Sequence, residues 1–187
     1  ALLGIAVTAP LTVVVATLIK WTSPGPVFFV QERMGAGGKT FRMFKFRTML
    51  NKAEEMQDQV EELNESGATL FKAKKDPRIT AVGRFLRRFS LDELPQLINV
   101  VRGEMRMVGP RPLSLRDFGR DYDEWHYRRH RGMPGITCLW GISGRSDVSF
   151  HNMCILDIYY LHNRDWILDV KIMLKTVVVI LFGKGAY

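Results

Sequence analysis

A run of apolar residues opens the sequence and predicts a membrane helix. No side chain from Ala1 to Ile19 is ionisable, and the run ends at Lys20 and Trp21, a pairing typical of a membrane interface. A helix of this length would reach roughly 28 Å, close to the hydrocarbon thickness of a bilayer. Pro10 removes a backbone donor and predicts a kink or break, so the pattern fits a half-depth loop as well as a straight span. A buried helix of a soluble protein is the remaining alternative.

Two short apolar runs follow and predict a β-hairpin. They cover residues 27–30 and 41–46, and they flank the glycine-rich segment 35–38. Helical spacing of apolar residues then predicts an amphipathic helix over 51–66, which has an acidic face and ends at Gly67.

Helical patterns dominate the remainder of the chain. In 79–89 the apolar side chains fall on one side of a helical wheel and three arginines on the other, which suits either a membrane surface or a helix packed on a core. The stretch 167–182 is apolar almost all round, but Asp169 and two lysines argue against a second span, so we expect a packed or interfacial helix. These elements predict an α+β, mainly helical fold with a small hairpin and amphipathic interfacial helices.

Composition and charge add the nature of the partner. The 187 residues are 47% hydrophobic and 25% charged, which excludes a disordered tail and a multi-span membrane protein. A net charge of +8 indicates an anionic partner: nucleic acid, a phosphorylated ligand or an anionic lipid surface. Basic residues outnumber acidic ones between residues 20 and 50, which predicts a cytoplasmic location for the polypeptide after the apolar run. Cys138 and Cys154 show neither metal-binding nor disulfide spacing and fit a reducing compartment.

An acidic pair beside arginines is the strongest candidate for chemistry. Asp92 and Glu93 lie just after Arg87, and Ser90 with Glu93 matches a helix capping box. Pro95 would then lie inside the helix, so the alternative is a helix that begins at Pro95 and leaves the acidic pair in the preceding turn. In both cases a helix N-terminus and arginines favour ionised carboxylates, which a nucleophile or a metal ligand requires.

Two arginines farther along are candidates for binding phosphate. Arg111 lies between two prolines, and Arg145 ends a loop of small residues. Rigidly presented arginines suit bidentate phosphate contacts, although the same sequences also fit ordinary turns. His126 and His130 are four residues apart but lack the glutamate of a zinc-protease helix, so we expect them to be solvated or packed.

These motifs resemble the bacterial sugar transferases, also called monotopic phosphoglycosyl transferases. The resemblance extends over nearly the whole chain, in blocks at 25–33, 45–49, 76–80, 90–96, 108–112 and 134–137. It implies an enzyme on the cytosolic face of the bacterial cytoplasmic (inner) membrane that transfers a sugar-1-phosphate, with a hexose-1-phosphate as the expected form, from a UDP-sugar to undecaprenyl phosphate. That reaction releases UMP and initiates surface polysaccharide or exopolysaccharide synthesis. The resemblance also implies a helix that breaks at Pro10 and re-enters, so that residues 1–22 form a re-entrant membrane helix and residues 23–187 a catalytic domain.

The resemblance further implies roles for single residues. Asp92 would be the nucleophile that attacks the β-phosphate and forms a phosphosugar-aspartyl intermediate, and Glu93 would hold Mg²⁺. Phosphate or nucleotide contacts are implied for four basic residues: Lys45, Arg87, Arg111 and Arg145. The implied partners are the UDP-sugar donor, undecaprenyl phosphate and a phospholipid membrane; a homodimer is compatible with the resemblance, and no nucleic acid is expected.

Some features depart from the family pattern or bear on the donor. Four positions carry residues that are unusual for the family: Ala9, Arg106, Cys138 and Gly141. The last three bear on the shape of the nucleotide pocket. The chain begins without methionine or a basic opening, which indicates a piece of a longer protein. Its ending resembles the long members, which carry extra transmembrane helices and often use UDP-glucose or UDP-galactose.

Two alternatives come from other functional classes. A membrane-tethered nucleic-acid-binding module is favoured by the positive charge and the interleaved phenylalanine and arginine residues. It predicts strongly salt-dependent binding that is indifferent to Asp92→Asn. An inactive scaffold of an envelope assembly complex predicts lipid association without release of UMP.

Overall fold

The described part of the chain is mainly helical with four short strands. The computed structural model describes residues 1–56, 60, 76–119, 122–144 and 148–182. The helices are α1 (Leu2–Thr22), α2 (Ala81–Arg88), α3 (Gln96–Val101), α4 (Leu139–Ile142), α5 (Phe150–Asn163) and α6 (Trp166–Phe182). The strands are β1 (Phe28–Met34), β2 (Thr40–Phe46), β3 (Arg106–Val108) and β4 (Gly135–Thr137). The predicted mainly helical α+β class is confirmed.

The apolar N-terminal run forms α1. Among the described helices, it is the one long and apolar enough to cross a bilayer. The predicted break at Pro10 is not confirmed: the helix continues through this position, because the neighbouring turns keep their helical conformation despite the lost donor. Val15 and Ile19 pack against Phe46 and Leu86, which joins α1 to β2 and α2. Much of the rest of its surface is apolar and exposed, as at Leu2, Leu3, Val7, Val13 and Val14.

The predicted hairpin is confirmed as the antiparallel pair β1 and β2. Phe28 lies opposite Phe46 at one end and Met34 opposite Thr40 at the other. The turn contains Gly37 at a φ of +64°, a left-handed conformation that glycine adopts without a steric penalty. Lys45 lies opposite Phe29, and side chains alternate between faces, so the hairpin presents Arg33 and Lys45 on the same face.

The hairpin is joined to α2 by close backbone packing. Thr80 caps α2 by accepting a hydrogen bond from the Gly83 N–H at 2.9 Å, and its own N–H donates to the Thr48 carbonyl at 3.0 Å. A Cβ at position 83 would overlap the Thr48 carbonyl, so glycine is required there. The predicted helix over 51–66 lies largely outside the described residues; its described start, 51–56, is a turn, and Val60 is buried.

The C-terminal half packs α5 and α6 against a second, parallel strand pair. Arg106 and Val108 of β3 pair with Gly135 and Thr137 of β4. The core beside them is formed by Val108, Tyr160 and Ile172, where the Tyr160 hydroxyl donates to the Val108 carbonyl at 3.1 Å. Ile172 anchors α6, whose outer surface stays exposed and apolar, as expected for a packed or interfacial helix.

Candidate active site

The acidic pair lies in a tight turn between α2 and α3. Ser90 adopts a left-handed conformation with a φ of +52°, and its side chain makes no capping hydrogen bond. A single 3₁₀ turn (Leu91–Glu93) follows, and α3 begins directly after Pro95. The second alternative from the sequence is therefore confirmed: the helix starts at the proline, and the carboxylates precede it. A non-glycine residue at positive φ is a strained conformation that is often associated with functional sites.

Glu93 is held between two of the predicted phosphate-binding residues. The Lys45 Nζ donates to Glu93 Oε1 at 3.0 Å, and Arg111 Nη1 lies 3.7 Å from the same oxygen. These side chains come from β2, the 3₁₀ turn and the loop after β3, so the fold brings together residues that are far apart in sequence. The structure thus joins three of the residues that the resemblance assigned to the site.

A small recess opens beside this cluster. Its walls include Arg33, Lys45, Glu93, Gln96 and Arg111. Arg33 and Gln96 were not predicted as site residues. The alternation along β1 was the available signal for Arg33, because it puts that side chain on the same face as Lys45.

Asp92 is buried next to the recess. Its exposed fraction is 8%, and burial raises the pKa of its carboxyl group. The Glu93 carboxylate adds to this rise. The charges of Lys45, Arg87 and Arg111 lower the pKa of Asp92, but they do not cancel the effect of burial. The expectation that the surroundings of Asp92 favour its ionised form is therefore wrong when all contributions to its pKa are taken together. Desolvation, which the sequence pattern does not reveal, outweighs the cations.

Arg87 of α2 lies close enough to Asp92 for their charges to interact. Its Nε donates to the Thr48 hydroxyl at 2.9 Å, so the close contact between α2 and Thr48 also fixes this arginine. Burial lowers the pKa of Arg87, while the carboxylates of Asp92 and Asp76 act to raise it. Asp76 itself is held by Arg78, whose Nη2 donates to Oδ2 at 2.7 Å.

The loop that carries Arg111 is fixed by contact between two backbones. Gly109 donates to the Thr137 carbonyl and Gly135 donates to the Pro110 carbonyl, both at 3.0 Å. A Cβ on Gly135 would overlap the Gly109 backbone, so this close approach requires glycine. The Arg111 guanidinium lies 5.3 Å from the centre of the Trp140 ring, a cation–π contact that restrains the side chain.

The other residues singled out in the sequence lie outside the walls of the recess or outside the described residues. Arg145 lies outside the described residues, and Pro10 lies inside α1. Cys138 is buried, and its Sγ accepts a hydrogen bond from the Gly141 N–H at 3.3 Å, which caps the short helix α4. Cys138 and Cys154 are both free thiols, in agreement with the absence of disulfide spacing.

A second group of potential ligands lies away from the recess. Asp123, His126 and His151 bring one ligand atom each to within 4.8 Å of one another. However, His126 Nδ1 already accepts the Asp123 backbone N–H at 2.8 Å, as part of a reciprocal cap on the 3₁₀ helix Glu124–Arg131. His126 is buried, so the packed alternative holds for it, and helix capping explains the grouping without a metal ion.

Comparison with known proteins identifies the family. The family model for bacterial sugar transferases matches residues 1–183. The chain is 39% identical over 183 residues to the exopolysaccharide production protein ExoY of Rhizobium meliloti, covering 96% of this chain and 80% of that protein.

Two further relatives carry names that state a reaction. The undecaprenyl-phosphate galactose phosphotransferase of Salmonella typhimurium is 43% identical over 172 residues, and the undecaprenyl-phosphate glucose phosphotransferase of Komagataeibacter xylinus is 38% identical over 189 residues. They are matched over 87% and 96% of this chain, but the chain spans only 35% and 34% of their respective lengths. With the family model matched over almost the whole sequence, the chain belongs to the bacterial sugar transferase family.

Proposed function

We propose that this chain transfers a sugar-1-phosphate, a hexose-1-phosphate by preference, from a UDP-sugar to undecaprenyl phosphate, releasing UMP. The product would start a surface polysaccharide or exopolysaccharide. Family membership and the names of the relatives support this reaction class. The observation that carries the proposal is the surplus of cations around one acidic pair: Asp92 and Glu93 are surrounded by Arg33, Lys45, Arg87 and Arg111. A diphosphate would supply the missing negative charge.

Asp92 is the proposed nucleophile. Its carboxylate oxygen would attack the β-phosphorus of the donor and form a new O–P bond, while the bond to the bridging oxygen breaks and UMP leaves with the electron pair. A phosphate oxygen of undecaprenyl phosphate would then attack the same phosphorus and release the carboxylate. Dividing the reaction into two displacements lets a soluble and a lipid substrate use one site in turn.

The cations have distinct proposed tasks. Lys45 and Arg111 both face Glu93 Oε1 at the recess, where they would bind phosphate oxygens of the donor. Arg87, fixed by Thr48, lies close enough to Asp92 to act on its carboxylate and would favour the ionised form that the attack requires. Arg145 remains a candidate for the nucleotide part.

The acidic pair fits a magnesium ion. Mg²⁺ prefers oxygen ligands and is typically bound by one or two carboxylates together with substrate phosphates. Asp92 and Glu93 are adjacent carboxylates, and the charge of Glu93 adds to the rise in the pKa of Asp92 that burial causes; a divalent cation would relieve this repulsion. Glu93 is the proposed ligand. When bound, the ion would neutralise charge on the diphosphate and its leaving group.

We also propose a monotopic arrangement, in which α1 re-enters on the cytosolic face of the inner membrane. The support is that α1 touches the rest of the chain at two separated places. A Cβ on Gly4 would lie 3.4 Å from Leu97 of α3, while Ile19 packs beside Phe46 and Leu86. These places are about 22 Å apart along a helix axis. A helix that projected straight away from the domain would contact it at one end only.

Labelling from the two sides of the membrane tests this topology. In the re-entrant arrangement, a cysteine placed at Leu3, which is exposed, should react with an impermeant reagent from the cytosolic side. Both native cysteines are buried, so the label should report on the introduced cysteine. Labelling from the periplasmic side alone would contradict the re-entrant arrangement.

The reaction itself is tested by UMP release. Detergent-purified protein would receive undecaprenyl phosphate, Mg²⁺ and, in separate reactions, UDP-glucose, UDP-galactose and UDP-N-acetyl sugars. We expect release from one donor, abolished by EDTA and by Glu93→Gln. Glu32→Gln is the matched control, because Glu32 is exposed on the opposite face of the hairpin that carries Lys45. Folded protein that releases no UMP from any donor would favour the scaffold, and duplex binding unaffected by Asp92→Asn would favour the nucleic-acid module.

A further inference from the structure

A buried ion pair outside the recess has no task in the reaction as proposed above. Arg129 lies in the 3₁₀ helix Glu124–Arg131 and Asp157 lies on α5, and each is 1% exposed. The Arg129 Nε donates to Asp157 Oδ2 at 3.0 Å, and its Nη2 donates to the same oxygen. The Asp157 carboxylate raises the pKa of Arg129 although burial acts against it, so the arginine stays charged.

Both members of the pair also hold the backbone of Arg111. The Arg129 Nη2 donates to the Arg111 carbonyl at 2.9 Å. The Arg111 backbone N–H in turn faces the Asp157 carboxylate and lowers its pKa. The two polar groups of this one backbone residue therefore face the two ends of a single ion pair.

The neighbours of Arg111 are fixed as well. The Pro110 carbonyl accepts a hydrogen bond from the Gly135 N–H at 3.0 Å, and the Pro112 carbonyl lies 3.4 Å from Arg33 Nη1. Proline fixes its own φ and restricts the residue before it. The Cα of Arg111, from which the guanidinium reaches toward Glu93, is thus held on every side.

Stability alone is a weak reason for burying these charges. Replacing a buried ion pair by well-packed apolar residues is often neutral or stabilising, because desolvation of two charges offsets their attraction. An apolar pair, however, has no donor for the Arg111 carbonyl and no acceptor for its N–H. The ion pair supplies both.

We infer that Arg129 and Asp157 are positioning residues for Arg111, which they hold where its guanidinium meets the diphosphate of the donor. This inference rests on the proposed function. A misplacement of about 1 Å in a group that binds the reacting phosphate costs roughly 100-fold in rate, so a fixed backbone at this position has a measurable value.

A double-mutant cycle in the full chain tests the inference. Arg129→Met and Asp157→Val are introduced together, once in the parent chain and once in a chain that carries Arg111→Lys. The readout is UMP release from the active donor. We expect the melting transition to stay cooperative. In the parent, kcat/KM for the donor should fall roughly 10- to 100-fold, mainly through KM; in the Arg111→Lys chain the same change should cost less than about twofold.

Tyr160→Phe is the matched control. It removes buried hydrogen bonds to Val108 and Asp169 from the same helix, one turn after Asp157, without touching Arg111, so kcat/KM should stay within about twofold. If the apolar pair does not fold, Arg129→Lys replaces it in the cycle, because one amine keeps the charge opposite Asp157 but cannot also reach the Arg111 carbonyl.

The outcomes separate this inference from the proposed function. Equal losses in both backgrounds, or no loss in the parent, would overturn the positioning role while the transferase stands. A parent chain that releases no UMP would overturn the proposed function itself. An Arg111→Lys chain with full activity would remove Arg111 from the site and the positioning role with it.

Discussion

Arg33 and Arg129 are both largely withdrawn from water, but their surroundings differ in charge. Arg33 lies in the recess, where burial and the nearby Arg111 lower its pKa to about 10; the carboxylates of Asp117 and Glu93 act in the opposite direction but do not compensate. Arg129 is more deeply buried, yet the carboxylate of Asp157 raises its pKa.

The two arginines differ in whether the charges around them cancel: positive charge is in surplus around Arg33, whereas the charges around Arg129 are balanced. The walls of the recess carry the cations of Arg33, Lys45 and Arg111 and one carboxylate, that of Glu93. A buried cation without its own anion costs folding free energy, and an anionic substrate would recover this cost on binding. Around Arg129 the charges cancel within the fold. A buried charge without a partner in the fold therefore indicates a ligand-binding site, whereas a buried charge with its own partner indicates a structural role, such as holding the backbone of Arg111.

The largest expected effect comes from Asp92→Asn. It increases the positive surplus at the recess and removes the nucleophile, so kcat should fall by roughly 1,000-fold or more while the donor still binds. Initial-rate measurements of UMP release, together with donor binding by calorimetry, check both parts. A variant that keeps a tenth of the parent rate would show that the displacement does not pass through this carboxylate.

Breaking the balanced pair by removing one charge should also destabilise the fold. Asp157→Asn leaves the Arg129 charge buried without its anion, and we expect the free energy of unfolding to drop by about 3–5 kcal/mol. Urea unfolding in mild detergent, followed by circular dichroism, measures it. An unfolding midpoint equal to that of the parent would mean that the pair is not balanced in the way described.

Removing a surplus charge should leave the fold intact. Arg33→Gln takes away a cation that the folded state disfavours, so we expect unchanged or higher stability and about a tenfold higher KM for the donor. Arg42→Gln is the control, because Arg42 is exposed on the other face of the same hairpin. If both substitutions change KM alike, the effect is long-range steering and not contact in the recess.

The smallest effect is a pH dependence near the balanced pair. Burial and the charge of Arg129 lower the pKa of His130 to about 4, below the 6.5 of an unfolded chain. The unfolded state therefore binds the proton more readily, and stability is lost as the pH falls from about 6.5 toward 4. Comparing urea unfolding at pH 7 and pH 5.5, we expect His130→Gln to lose about 1 kcal/mol less than the parent. Identical losses in the two proteins would argue against the buried, neutral histidine.

The sequence predicted best those features that depend on neighbours along the chain. The apolar pattern predicted α1, two apolar runs around a glycine-rich segment predicted the hairpin, and Pro95 allowed a helix start that leaves the acidic pair in a turn. Each depends on local backbone preferences. Lys45 and Arg111 were linked to Glu93 through the family resemblance, because their spacing in sequence carries no distance information.

Features that arise from packing were missed. The burial of Asp92 reverses the expected direction of its pKa, and Arg129 and Asp157 gave no signal because their pairing joins residues 28 positions apart. Arg33 was the partial exception, since alternation along the hairpin puts it on the same face as Lys45. The lost donor of Pro10 did not dictate a break, because a helix can continue past one missing hydrogen bond when its flanking turns are sound.

The intact mass of the protein after incubation with its donor tests the central claim most directly. Without undecaprenyl phosphate, the phosphosugar should remain on Asp92, so the account predicts an adduct with the mass of one sugar phosphate, mapped to the peptide that contains Asp92 and absent in Asp92→Asn. Adding the acceptor should remove it. Steady release of UMP with no adduct at any time, or an adduct on another residue, would contradict the account.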